Sequence, residues 1–131
     1  MSEVPEAYLD LFERPSFGNL ATLQPSGFPH VTPVWIDYDG EHLLVNTARG
    51  RQKERNVQRN PAVGVSVIDP ENFYRYVSAY GEVADLREAG AVEHIHQLSR
   101  RYTGEDYANL DAEDGARVIM EIDPEHVIAS G

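Results

Sequence analysis

The segment FGNLATLQPSGFPHVTPVWIDYDGEHLLVNT, which runs from Phe17 to Thr47, decides the fold. It predicts strands at 17–23, 29–37 and 42–47, because apolar and branched residues recur in each and turn residues separate them. Pro25 and Gly27 stand in favoured positions of the first turn, and Asp39-Gly40 is a hairpin signal. These three strands therefore predict an antiparallel meander.

A basic segment, NTARGRQKERNVQRN, follows the meander from Asn46 to Asn60. Besides the single acid Glu54, its charged residues are Arg49, Arg51, Lys53, Arg55 and Arg59. The protein carries 22 acids and 11 bases, a formal charge of -11, whereas the part from Arg49 to Arg59 carries +4 and leaves -15 for the rest. This concentration of positive charge predicts an anion-binding site. The alternative is a solvated basic helix face.

The local pattern supports an anion site. A glycine-bearing turn at Gly50 separates the strand from a helix that begins near Gly50 or Arg51, so backbone N–H groups and the positive end of the helix dipole would meet there. Arg51, Arg55 and Arg59 are spaced to share one face of that helix. The net charge of -15 elsewhere would repel a nucleic acid, so a small phosphorylated ligand fits better.

The rest of the chain continues the same alternation of strands and few helices. Asn60-Pro61 ends the basic helix. The patterns predict helices at 5–13 and 86–102, strands at 62–68, 73–84, 117–122 and 127–128, and an acidic loop at 103–115 with at most one helical turn. Six or seven strands with few helices predict a mostly-β (α+β) fold, a closed antiparallel barrel of Greek-key type, formed as a single domain over residues 1–131.

Composition narrows the class of protein. The chain has 131 residues and no cysteine, so neither a disulfide framework nor a thiolate metal site is expected. It shows no signal peptide and no apolar run of transmembrane length, so we expect a cytoplasmic protein without a membrane partner. Ten arginines, one lysine and the acidic excess suggest a halophilic source.

Other chemical motifs are weak. His94 and His96 would point about 200° apart on a helix, so they cannot share a metal ion there. The remaining histidines have no ligand spacing, and we expect no metal site. No glycine-rich dinucleotide fingerprint appears, and no Ser–His–Asp arrangement can be argued. A catalytic residue cannot be named from the sequence.

An ordered set of four stretches carries a family resemblance. They read FGNLATLQPSGFPHVTPVWIDYDG, NTARGRQKERN, NPAVGVSVID and NFYRYVSAYGEV. The chain resembles the pyridoxamine 5'-phosphate oxidase-like superfamily of split β-barrel flavoproteins, and more closely its branch that uses the deazaflavin coenzyme F420. The resemblance is close from Phe17 to about Ala84. It implies the FMN-binding split barrel type, assembled as a homodimer with cofactor in a groove between the two barrels.

The resemblance also implies which residues bind the cofactor. The phosphate and the tail of the cofactor would be bound at the end of the third strand and at the start of the helix. The residues implied there are Thr47, Arg49, Gly50, Arg51, Lys53 and, in an assisting role, Asn56. The strand beside the ring system contains Pro33, Val34 and Trp35. Tyr74 and Tyr76 match positions that reach the cofactor bound mainly by the partner subunit. From the sequence alone, Trp35 and the tyrosines would more often be core or interface residues.

Three functions remain open. The first is an oxidoreductase that binds reduced F420 and transfers a hydride to a small conjugated, electron-poor substrate. The second is an FMN-binding oxidase or flavin reductase, and the third is a non-catalytic cofactor carrier. The deazaflavin tail ends in glutamates beyond its phosphodiester, so the breadth of the basic segment, which continues to Arg55 and Arg59, favours F420. The protein needs no nucleophile of its own for such chemistry, because the cofactor supplies it.

Overall fold

The computed structural model describes residues 2–108, 110 and 115–131. Its strands are β1 Phe17–Leu23, β2 Pro29–Val34, β3 Ile36–Tyr38, β4 Leu43–Ala48, β5 Ala62–Asp69, β6 Asn72–Arg87 and β7 Arg117–Ser130. Its helices are a 3₁₀ turn at Glu6–Tyr8, α1 Asp10–Glu13, α2 Gln52–Arg59 and α3 Ala91–Thr103. None of the helices in these residues is long and apolar enough to cross a bilayer.

The seven strands form one antiparallel sheet in the order β2-β1-β5-β6-β7-β4-β3. Its two edge strands, β2 and β3, are separated in the chain by Trp35 alone. The sheet must therefore curl until its edges approach each other at Trp35. This curled, mostly-β sheet confirms the predicted split barrel.

The core lies on the concave side of this sheet. In β5 the buried positions alternate, with Val63, Val65 and Val67 facing inward, and Val77 and Ala79 face inward from β6. Strand alternation produces this division, because successive side chains point to opposite faces. Each fully buried aliphatic side chain stabilises the fold by about 1.5–3 kcal/mol. The short α1 contributes Leu11 and Phe12 to the same cluster.

The C-terminal strand differs from the prediction. The sequence predicts two strands at 117–122 and 127–128, interrupted around Pro124, but β7 is continuous for 14 residues. Pro124 lies opposite Gly81, at a place where the β6–β7 register shifts. Because proline cannot donate to a ladder, a bulge is one of the few places in a sheet where it is tolerated. A Cβ on Gly81 would overlap the carbonyl of Asp123, so only glycine fits opposite.

Three other boundaries differ. The predicted strand at 29–37 breaks at Trp35, because the chain there changes from one sheet edge to the other. β6 continues to Arg87 through pairing with β7, so α3 begins at Ala91, after Gly90 with φ 77°, rather than at Leu86. The predicted helix at 5–13 is a 3₁₀ turn followed by α1. The predicted loop at 103–115 falls partly outside the described residues.

Candidate functional site

A cleft of about 560 Å³ opens where the two edges of the sheet approach each other. Its walls come from the start of β1, the β2–β3 junction, the end of β4, the start of α2, the inner face of α3 and the start of β7. The volume lies in the range of about 300–1,000 Å³ that is usual for small-molecule sites. Curling of the sheet thus builds a site from segments that are distant in sequence.

Three cations line this cleft: Arg51 and Lys53 at the start of α2, and Arg117 at the start of β7. Arg117 is 5% exposed, and its Nε donates a hydrogen bond to Asn46 Oδ1 at 2.9 Å. Burial, followed by repulsion from Arg51 and Arg117, lowers the pKa of Lys53 from its ordinary 10.5. Within the described ranges, no carboxylate lies at ion-pair distance from Lys53. An anion beside Lys53 would offset the repulsion that lowers its pKa.

Aromatic side chains form another part of the wall. Trp35 stacks on Tyr102, with ring centroids 5.4 Å apart and an interplanar angle of 18°, and Tyr107 meets Trp35 edge-on at 6.3 Å. Tyr102 Oη accepts a hydrogen bond from the Ile36 backbone N–H at 3.3 Å. Burial raises the pKa of Tyr102, so its phenol stays neutral. The indole is thereby held in place by α3 and by the segment that follows it.

The aromatic and cationic parts of the wall are in contact. The guanidinium carbon of Arg117 lies 5.1 Å from the ring centroid of Tyr107, which is cation–π geometry. Ile95 and Leu98 add apolar surface from α3. The cleft therefore offers both charge for an anionic group and flat apolar surface for a ring.

Two buried hydroxyls on the cleft wall provide a test of ligand fit. Ser16 Oγ and Thr47 Oγ1 make no hydrogen bond to any part of the chain that the structure describes. A buried polar group without a partner costs about 1–3 kcal/mol. A polar ligand that reaches these hydroxyls can supply the missing partners.

The structure brings six of the predicted site residues together around this cleft. They are Pro33, Val34, Trp35, Thr47, Arg51 and Lys53. The first three lie at the junction of β2 and β3, and the other three lie at the end of β4 and the start of α2. Their roles toward a ligand remain predictions.

Arg49 and Gly50 face Glu54 instead. Arg49 donates to Glu88 Oε2 at 3.1 Å and to Glu54 Oε2 at 3.4 Å. The Gly50 N–H donates to Glu54 Oε1 at 2.8 Å, so this buried glutamate attaches the β4–α2 turn to the first turn of α2. Arg49 is therefore paired both with the single acid of the basic segment and with a glutamate far from it in sequence.

Asn56, Tyr74 and Tyr76 do not line the cleft of their own chain. Asn56 is fully buried, and its amide donates to Thr22 Oγ1 at 3.0 Å. Tyr74 is 85% exposed near the β5–β6 hairpin, and Tyr76 lies opposite Ile68 on β6. The role of the two tyrosines at a partner's site, which the resemblance implies, remains a prediction.

The last two cations of the basic segment also lie outside the cleft. Arg55 donates to Gln52 Oε1 at 2.7 Å on the exposed side of α2. Arg59 donates to the carbonyl of Leu23 and so binds α2 to the end of β1. The basic segment therefore divides between cleft-facing and structural cations.

Sequence reasoning missed ten of the sixteen residues that line the cleft, among them Asn46, Tyr102, Tyr107 and Arg117. A signal was present for Arg117, the only arginine or lysine from Tyr102 to Gly131. Its strand was predicted, but pairing of that strand with β4 was not, and this pairing places Arg117 opposite Ala48. Tyr102 and Tyr107 reach the cleft only because α3 packs beside Trp35.

Outside the cleft, Asp39, His42 and Glu121 bring potential metal-ligand atoms within 4.8 Å of one another. Asp39 Oδ1 already accepts hydrogen bonds from the N–H groups of Glu41 and His42 in the β3–β4 turn. Glu121 pairs with Arg87 at 3.6 Å. These contacts account for the carboxylates without a metal ion.

Comparisons with known proteins agree with this geometry. The family described as "Pyridoxamine 5'-phosphate oxidase" matches residues 4–131. A solved structure described as an F420 reductase is 40% identical, with 95% of this chain and 98% of that chain covered and a TM-score of 0.83. A conserved hypothetical protein from Mycobacterium tuberculosis is 28% identical, with 97% and 84% covered and a TM-score of 0.73. General Stress Protein 26 from Bacillus anthracis shares the fold at 19% identity, with 92% and 88% covered and a TM-score of 0.69.

Proposed function

The chain belongs to the pyridoxamine 5'-phosphate oxidase family, and from this premise we propose that it is an oxidoreductase that binds reduced coenzyme F420 in the cleft. Its substrate would be a small conjugated, electron-poor organic molecule. F420 would supply the hydride that reduces this substrate. The chain's own residues would bind the cofactor, orient it and exclude water.

The observation that carries this proposal is the combination of cations and aromatic rings in one cleft. Arg51 and Lys53 stand where the anionic part of a cofactor would be held by charge-assisted hydrogen bonds. Pro33 and Trp35, at the meeting edges of the sheet, offer backbone groups and a flat surface to a ring. A simple anion would need no aromatic wall, and an apolar ligand would need no cations.

The apolar part of the wall gives the cleft a second task. Ile95 and Leu98 are buried side chains of α3, and the Trp35–Tyr102 stack closes the wall beside them. Exclusion of water strengthens the electrostatic contacts that remain inside and protects a reduced ring from side reactions. Substrate would enter beside this surface, which favours flat molecules over extended polar ones.

F420 is preferred to FMN because the 40% identical relative is described as an F420 reductase. The breadth of the basic segment supports F420 only weakly, since only Arg51 and Lys53 of its five cations line the cleft. Arg117 adds a third cation there. The alternatives are an FMN-binding oxidase or flavin reductase, and a carrier that binds cofactor without turnover.

Fluorescence titration of the purified protein with F420 and with FMN, at matched salt concentration, tests the proposal. We expect binding of both and a lower dissociation constant for F420. Equal or tighter binding of FMN, or FMN that copurifies at full occupancy, would transfer the assignment to FMN. Binding without oxidation of reduced F420 by any electron-poor enone or quinone would leave the carrier function.

A homodimer is part of the same proposal. One sheet face exposes large apolar side chains, since Phe17, Val31 and Tyr80 are 60%, 61% and 57% exposed. Val31, Ala21, Gly64 and Tyr80 lie directly opposite one another across β2, β1, β5 and β6, so they share this face. A second copy of the chain would cover it and bring Tyr74 and Tyr76 to the neighbouring cleft. Sedimentation at micromolar concentration should give twice the chain mass, and a monomer that binds cofactor normally would contradict the shared site.

The proposed setting follows from the sequence. The 131 residues would act as one cofactor-binding domain in the cytoplasm, with small molecules rather than nucleic acids or membranes as partners. A net charge of -11 is consistent with these partners.

A further inference from the structure

A chain of hydrogen bonds leads from the cleft into the protein. Arg117 Nε donates to Asn46 Oδ1 at 2.9 Å, and Asn46 Nδ2 lies 3.1 Å from His94 Nδ1. On the other side of the ring, His94 Nε2 lies 3.1 Å from Asp37 Oδ2. The four side chains come from β7, β4, α3 and β3, so the chain joins four separate elements behind the cleft.

The donor and acceptor roles of the groups around Asn46 fix the direction of its hydrogen bonds. An arginine N–H can only donate and a backbone carbonyl can only accept. Asn46 must therefore turn Oδ1 toward Arg117 and Nδ2 toward the carbonyl of Ala91, which lies at 2.8 Å. Its amide then presents N–H to His94 Nδ1, so this ring nitrogen has to be the acceptor.

The Asp37 end of this chain of hydrogen bonds requires the same tautomer of His94. Burial by itself would raise the pKa of Asp37, but hydrogen bonds from His94 and Arg101 outweigh burial and lower the pKa below its ordinary value. Asp37 is therefore an acceptor, and it also receives Arg101 Nη1 at 3.1 Å. His94 must carry its proton on Nε2 and leave Nδ1 unprotonated. Both ends thus agree on a neutral imidazole with one orientation.

Burial makes this arrangement rigid. His94 is 7% exposed and Arg117 is 5% exposed, so water is a poor substitute for either partner. A buried donor or acceptor that loses its partner retains its full desolvation cost. The orientation of the Arg117 guanidinium at the cleft wall is therefore tied to the tautomer of a histidine that does not line the cleft.

We propose that Arg117 is a ligand-binding cation of the cleft and that His94 is its positioning residue, acting through Asn46 and held by Asp37. This inference rests on the proposed function, because the ligand in question is an anionic flavin or deazaflavin. The competing explanation is that the four residues only attach α3 to the sheet. The two explanations differ in whether the effect of His94 on binding depends on Arg117.

A double-mutant cycle separates them. Arg117→Met should weaken binding of F420 and FMN at least about tenfold, the usual effect of losing a charge-assisted hydrogen bond. His94→Leu should weaken it about three- to tenfold, and in the Arg117→Met background it should have no further effect. His94→Gln should recover most of the affinity, because its amide can accept from Asn46 and donate to Asp37. Ser99→Ala, a buried polar change elsewhere on α3, is the matched control and should leave binding unchanged.

Independent effects of the two substitutions on affinity, or equal losses of affinity in His94→Gln and His94→Leu, would overturn the positioning role.

A second readout does not need a ligand. In ¹H–¹⁵N spectra of the parent, the Arg117 Nε–H signal, assigned by its absence in Arg117→Met, should be protected from exchange. It should lose that protection in His94→Leu and keep it in His94→Gln.

Long-range ¹H–¹⁵N spectra of the imidazoles should show His94 protonated on Nε2 in the parent. A parent protein that binds neither F420 nor FMN would refute the proposed function, while the two spectra would still decide the positioning of Arg117. An Arg117 signal that is indifferent to His94→Leu would refute the inference even if both cofactors bind.

Discussion

Replacement of Lys53 by methionine should weaken ligand binding and, at the same time, stabilise the ligand-free protein. Lys53 is half-buried in the cleft, and its pKa is lowered by burial first and then by Arg51 and Arg117. The folded state therefore disfavours the ammonium at neutral pH relative to the unfolded chain. Methionine keeps the unbranched stem and a good helix propensity but removes the charge.

The two effects have different sizes and pH ranges. Loss of one charge-assisted hydrogen bond costs roughly 1.5–3 kcal/mol, which is roughly a ten- to hundredfold rise in the dissociation constant. The melting temperature of the ligand-free variant should exceed that of the parent at pH 7, below the lowered pKa. This difference should disappear as the pH rises through the lowered pKa toward the ordinary 10.5, because Lys53 then becomes neutral in both states.

Arg55→Met is the matched control, since it removes a cation from the same helix that lies outside the cleft. At about 10 Å in water, a unit charge contributes about 0.4 kcal/mol before screening and less in physiological salt. The control should therefore change affinity less than about twofold. Fluorescence titration and thermal unfolding of the three proteins measure both effects. If Lys53→Met binds F420 and FMN as tightly as Arg55→Met does, the cleft is not the anion site.

Three further predictions follow from the same contacts. In the parent, affinity for F420 should fall as the pH rises through the lowered pKa of Lys53, and Lys53→Arg should keep its affinity to higher pH; identical pH profiles would contradict this. Glu54→Ala should reduce the free energy of unfolding by about 1–2 kcal/mol in denaturant titration, whereas Glu54→Gln should lose less than half as much because its amide oxygen can still accept from Gly50. Tyr74→Ala should weaken F420 binding severalfold while sedimentation still shows a dimer, and unchanged affinity would exclude this side chain from the partner's site.

Local patterns predicted the fold well where local chemistry decides it. The turn before Phe28, the Asp39-Gly40 turn and the helix before Pro61 depend on turn residues and on a helix-ending proline, which act over a few positions. The errors arose where tertiary pairing overrides the local rule. Pro124 would interrupt a strand in isolation, but the bulge opposite Gly81 accommodates it. The residues just before Arg87 have a spacing that resembles a helix, but they continue strand β6 because β7 provides pairing partners as far as Arg87.

The residues of the candidate site were likewise predicted where local sequence places them and missed where long-range pairing does. Arg51 and Lys53 reach the cleft because their positions depend only on the β4–α2 turn, which the sequence defines. Arg49 has the same charge in the same segment, yet it pairs with Glu88, 39 positions later. Arg117 lies at the cleft through the pairing of β4 with β7. Neither long-range partner leaves a mark in the spacing of nearby residues, so charge alone could not distinguish binding cations from structural ones.

The sheet order also governs when the molecule can become complete. β3 pairs with β4, and β4 joins the rest of the sheet through β7, which is synthesised after the other six strands. The β3–β4 hairpin therefore stays unpaired with the rest of the sheet while some seventy further residues are synthesised. The pairing of β4 with β7 is consequently a slow and non-local step of folding. Thr47 and Arg117 meet across this final pairing, opposite Val118 and Ala48. A ligand that binds in the cleft would therefore stabilise only molecules in which this pairing has formed. The supply of cofactor during synthesis would then influence how much of the protein escapes proteolysis.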